Sequence, residues 1–116
     1  MIYNIYERYS VKFYKDSRTG KSKVREMMDS LEPKIKEKSW KYMDFLAANE
    51  AYLEEPYSRH VKGKIRELRV DFAHNFFRIF YFCLIGKKIV ILHAYRISST
   101  KQYRKTCLVG ILQLLS

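Results

Sequence analysis

Between Lys64 and Arg96 the chain carries three strand-forming runs separated by only three and then two residues, a spacing that admits hairpin turns and little else. The first run, Lys64 to Phe72, puts Leu68, Val70 and Phe72 on one side and Ile65, Glu67, Arg69 and Asp71 on the other, so its polar face is expected to look outward. The second, Phe76 to Leu84, is apolar on both sides apart from Arg78, the pattern of a central strand covered on each face. The third, Lys87 to Arg96, follows a tight turn at Ile85-Gly86 and alternates Ile89, Ile91, His93 and Tyr95 with Val90, Leu92, Ala94 and Arg96. Connections this short predict an antiparallel three-strand meander.

Upstream the hydrophobic period changes. Tyr9, Val11 and Phe13 alternate with Ser10, Lys12 and Tyr14, a half-buried strand that Ile2 to Tyr6 can extend and that ends at the turn Asp16 to Gly20. After Ser22, an N-cap, the residues Val24, Met27, Met28 and Leu31 fall at helical spacing. Pro33 breaks this helix and opens a second, with Ile35, Tyr42 and Leu46, flanked by Met43 and Phe45, facing inward and Lys34, Lys38 and Lys41 outside that stripe. The helices should form a hairpin, after which the polar segment Glu54 to Tyr57 leads into the meander. Trp40 lies off the inward stripe and is a candidate partner contact. At the other end, Leu108 to Leu115 is apolar but too short to cross a bilayer, and reads as a short helix or a partner-binding surface. With 116 residues, 47% of them hydrophobic, the chain can bury one core, so residues 1–116 are expected to form a single domain. The fold class is α+β: an N-terminal strand, a two-helix hairpin, the meander completing a mixed or antiparallel sheet, and a short C-terminal helix.

The formal net charge is +11, and its distribution is uneven. Residues 1–58 hold eleven Lys or Arg against ten Asp or Glu, whereas residues 59–105 hold twelve against Glu67 and Asp71. The cations are interleaved with strand residues, which favours a phosphate-bearing partner, RNA above all. No apolar run is long enough for a membrane span and no signal-peptide core is present, so a cytoplasmic protein is expected. Cys83 and Cys107 lack the spacing of a zinc site or a disulfide framework, and no phosphate loop, HExxH or GxSxG motif occurs. Neither a metal nor a cofactor is expected. Metal-free RNA cleavage remains open: a base takes the ribose 2′-hydroxyl proton, the oxygen attacks the adjacent phosphate, cations stabilise the transition state and an acid protonates the leaving 5′-oxygen.

The segments Lys64-Ile-Arg-Glu-Leu-Arg69, Phe77-Arg-Ile-Phe-Tyr81 and Lys87-Lys-Ile-Val-Ile-Leu-His-Ala-Tyr95, preceded by Val11 to Asp16, Gly20 and the helix Val24 to Leu31, carry a resemblance over roughly residues 9–101. They resemble the HigB-like, phage-derived branch of the RelE/ParE toxin superfamily. In that branch a strand ending E-L-R precedes a strand with Y-R-I-x-Y and a lysine-led strand with L-H-x-F. The resemblance implies a type II toxin, an endoribonuclease cleaving messenger RNA on the ribosome and held inactive by a HigA-like helix-turn-helix antitoxin. Matched by position, Arg78 is the strand arginine that meets the scissile phosphate and His93 the histidine that transfers a proton. Lys101 keeps a lysine in register, and Tyr103 stands near the place where related toxins carry a functional tyrosine. Arg69 matches the basic position after E-L, with Arg66, Arg96 and Arg104 as further RNA-binding cations.

Alternatives stay open at several of these positions. Arg78 suits an ion pair with Glu67 as well as a phosphate, and His93 suits a core position satisfied by backbone. The chain also departs from the family after the histidine: Ile97 and Ser98 replace paired lysines, Tyr103 replaces a proline, and the ending is apolar where a charged helix is usual. RNA binding is therefore expected more firmly than cleavage. Two other functions fit the same fold, a ParE-like inhibitor of DNA gyrase and a non-catalytic nucleic-acid-binding module in which Phe72, Phe76, Phe77, Tyr81 and Tyr95 stack on bases.

Overall fold

A computed structural model describes residues 8–97. The elements run β1 (Ser10–Phe13), α1 (Lys23–Asp29), α2 (Pro33–Ala48), β2 (Ser58–Lys62), β3 (Ile65–Phe72), β4 (Asn75–Leu84) and β5 (Lys88–Arg96). The α+β reading holds. The expected extension over Ile2 to Tyr6 and the C-terminal helix lie outside the described residues.

The Ser22 hydroxyl caps α1 by accepting from the Arg25 backbone N–H at 3.2 Å, as the sequence indicated. Pro33 opens α2, where its missing N–H costs nothing. On α2 the inward stripe is Ile35, Ser39, Met43, Leu46 and Ala47, with Ser39 returning its hydroxyl to the Ile35 carbonyl at 2.8 Å. Tyr42 lies at the edge of that stripe, and Phe45 points outward with 46% of its surface exposed. Trp40 is half-buried, edge-on to Phe13 at 5.6 Å and covered by the Arg25 guanidinium.

The sheet order is β1-β5-β4-β3-β2, with β1 parallel to β5 and every other pair antiparallel. The expected three-strand meander is thus extended by β2, which pairs Ser58 with Leu68 and Arg59 with Glu67. Its sequence, Ser-Arg-His-Val-Lys, carries one apolar residue and so no alternating signal. An edge strand needs only one row of backbone partners, and a polar one discourages pairing with other chains.

Both helices pack on one face of the sheet, against Leu68, Val70, Phe77, Ile79, Tyr81, Ile89, Ile91 and Ala94. The other face carries a second, smaller cluster of Ile65, Phe80, Leu92 and Tyr95. The outward polar face expected for β3 is therefore corrected: Ile65 and Glu67 are both buried on that side. Glu67 stands opposite Phe80, and its burial follows from the apolar residues that share its face.

A bulge changes the facing of β5. Phe80 pairs with His93 and Tyr81 with Ile91, so Leu92 is the extra residue. Up to Ile91 the odd residues face the helices; beyond Leu92 the phase reverses. Ala94 and Arg96 turn to the helical face, while His93 and Tyr95 join the opposite one. Simple alternation put His93 and Tyr95 with Ile89 and Ile91, and the bulge overturns that grouping.

Candidate functional site

Cross-strand pairing assembles the candidate site on the face away from the helices. Arg69 lies directly opposite Arg78, and Arg78 directly opposite Tyr95. One row along, Arg59, Glu67, Phe80 and His93 are in register across β2, β3, β4 and β5. Residues directly opposed on neighbouring strands share a face at about 4.5–5.5 Å between Cβ atoms. Two arginine side chains therefore leave adjacent positions of one face, with a histidine one row away.

Like charges placed opposite each other are destabilising unless anions intervene. Asp71 supplies one, accepting from Arg78 Nη1 at 2.6 Å, while the same nitrogen donates to the Phe77 carbonyl at 3.0 Å. Arg78 is 3% exposed and its ion pair is with Asp71, where the sequence pointed to Glu67. Glu67 instead accepts from the Tyr95 hydroxyl at 2.8 Å. Sequence reasoning assigned Asp71 no role. It flanks Arg69 on the same face just as Glu67 does, so the two acids were equivalent diagonal partners for Arg78.

Arg69 Nε and His93 Nε2 are buried without a hydrogen-bond partner among the described residues. A buried donor or acceptor left unmatched costs about 1–3 kcal/mol, so each of these atoms would gain from a polar ligand. Burial also pushes the His93 pKa below the ordinary histidine value. Its imidazole is consequently neutral at pH 7, so one ring nitrogen keeps a lone pair that can serve as a base, though a weaker one than that of an exposed histidine.

Two of the other expected cations stand elsewhere. Arg66 is opposite Tyr81 on the helical face, donates to the Ser58 hydroxyl at 3.0 Å and covers the Tyr52 ring. Arg96, turned by the bulge, binds Glu32 at the start of α2 at 2.5 Å and the Asn75 side chain at 3.1 Å. The structure thus brings together Arg69, Arg78 and His93 and separates them from Arg66 and Arg96. Lys101, Tyr103 and Arg104 lie outside the described residues. Of the expected stacking rings, Phe77 and Tyr81 are buried on the helical face and Tyr95 on the other; Phe72 and Phe76 are exposed.

The mixed sheet with two helices on one face has a RelE-like fold. Its fold is similar to that of a crystallised archaeal RelE–RelB complex from Pyrococcus horikoshii OT3, at 20% identity and a TM-score of 0.55 over 79% of this chain and 98% of that one. The chain belongs to the phage derived protein Gp49-like family, whose model matches residues 26–109. No curated protein matches the chain significantly.

Proposed function

We propose that this chain is the toxin of a type II toxin–antitoxin pair, an endoribonuclease that cleaves messenger RNA on the ribosome by attack of a ribose 2′-hydroxyl. The observation that carries the reading is the opposition of Arg69 and Arg78 with His93 one row along on the same face. Paired forks of this kind suit the non-bridging oxygens of one phosphate, where they offset the charge that grows during in-line displacement. Neutral His93 takes the 2′-hydroxyl proton. The 2′-oxygen then bonds to phosphorus and the 5′-oxygen leaves, collecting a proton from an acid, for which Tyr103 is the proposed source. Lys101 is the further proposed catalytic residue, a cation for the charge of the transition state, and Arg104 completes the proposed RNA contacts, with Arg66 and Arg96 acting from outside the cluster. Membership of the Gp49-like family and the fold shared with a RelE protein solved alongside RelB support a HigA-like antitoxin as the partner and the cytoplasm as the place of action.

Addition of the purified protein to a translating extract should produce new messenger RNA ends bearing 5′-hydroxyls, mapped by ligation-based sequencing. Intact messages together with inhibited DNA supercoiling would replace this reading with gyrase inhibition. Binding to RNA with neither effect would leave a non-catalytic module.

A further inference from the structure

Along the outer side of α2 runs a groove of about 930 Å³, closed at one side by Phe72 from the end of β3 and by Tyr57 before β2. Its position is separate from the Arg69, Arg78 and His93 cluster, since α2 packs on the opposite face of the sheet. The floor is aromatic: Phe45 is 46% exposed, Tyr57 49% and Phe72 36%. Such adjacent exposed rings mark a surface with an apolar partner. The rim is basic, with Lys34, Lys38 and Lys41 against Glu37. Among the described residues none of these lysines is ion-paired; the Lys38 ammonium donates to the Asp71 carbonyl, and all three ammonium groups lie over Phe72, Tyr42 or Phe45 at 5.5–6.0 Å.

We infer that this groove docks an acidic amphipathic helix of a partner protein. The lining of α2 extends from Lys34 to Ala48, about 21 Å at 1.5 Å per residue, the length of a four-turn helix laid alongside. Apolar side chains at i, i+4 and i+7 of such a helix would cover Phe45, Tyr57 and Phe72, and its carboxylates would meet the three lysines. Charge selects this occupant over the chain's own end, because residues 98–116 contain no Asp or Glu and carry Lys101, Arg104 and Lys105.

The test is selection of random 16-residue peptides, displayed on phage, against the full-length protein. Enriched peptides should carry Asp or Glu beside apolar residues at helical spacing. Their affinity should fall at least tenfold on Phe45→Glu and on the Lys38→Glu/Lys41→Glu double variant, all exposed or half-exposed positions at which circular dichroism should report an unchanged fold. Should Phe45→Glu unfold the chain, the double variant alone decides. Enrichment of neutral or basic peptides, no enrichment, or binding indifferent to the substitutions would overturn the inference. So would a labelled oligouridylate whose binding is lost on the same substitutions, which would assign the groove to nucleic acid.

Discussion

Arg78 is the only charge on β4, and it is buried because the strand around it is buried on both faces. Replacement by Lys keeps the charge but loses the fork that can bond Asp71 and a phosphate together. Cleavage by Arg78→Lys is expected to fall about 10²–10³-fold, the scale for losing one oriented donor to a developing oxyanion, as measured in single-turnover assays. Circular dichroism should show that the variant remains folded. His93 makes a prediction in pH. Its folded-state pKa is depressed by burial, so the folded protein resists protonating it. Stability contributed by the neutral ring is present above the unfolded value of about 6.5 and is lost as pH falls through the lower folded value. Cleavage should follow the same limb, rising with pH below about 6.5 and level by neutrality. In His93→Gln both the acid limb of the rate and the associated acid sensitivity of the melting temperature should vanish; a limb that persists would assign it to another group.

At the level of elements, β5 depends on one residue. Leu92 is the bulge that turns His93 and Tyr95 to the face of Arg78 while keeping Ile89 and Ile91 on the helices. Deleting Leu92 would restore strict alternation and drive either His93 and Tyr95 or Ile89 and Ile91 to the wrong side. The deletion is expected to abolish cooperative unfolding, whereas Leu92→Val, which keeps the count, should cost about 1 kcal/mol in urea titration. The β3–β4 hairpin offers the opposite opportunity. Its two loop residues, Ala73 and His74, have φ of 43° and 67°, a turn that Asn-Gly adopts with less strain. Exchanging them for Asn-Gly should therefore raise stability by about 1–2 kcal/mol, visible as a higher melting temperature.

For the molecule as a whole the charge of +11 predicts salt dependence. If two arginines neutralise phosphate on a single strand, affinity for a short RNA should fall about sevenfold between 50 and 200 mM salt, and Arg69→Ala should flatten that slope. Fluorescence anisotropy at four salt concentrations measures both. Much of this architecture was already legible in the chain. Helical spacing marked α1 and α2, Ser22 and Pro33 marked where they start, alternation marked β1, β3 and β5, and a continuous apolar run marked β4, because each signal is local and repeats within a few residues. The strand β2 was not legible, since its residues extend only when β3 offers hydrogen bonds. Equally hidden was the choice between Glu67 and Asp71. Both flank Arg69 on one strand face, and only the tertiary structure, by spending Glu67 on Tyr95, leaves Asp71 for Arg78. The sequence by itself determined the cationic content of the basic half and most of its strands. Which cations meet was decided by folding, because one bulge at Leu92 turned His93 toward Arg69 and Arg78 and turned Arg96 away to Glu32.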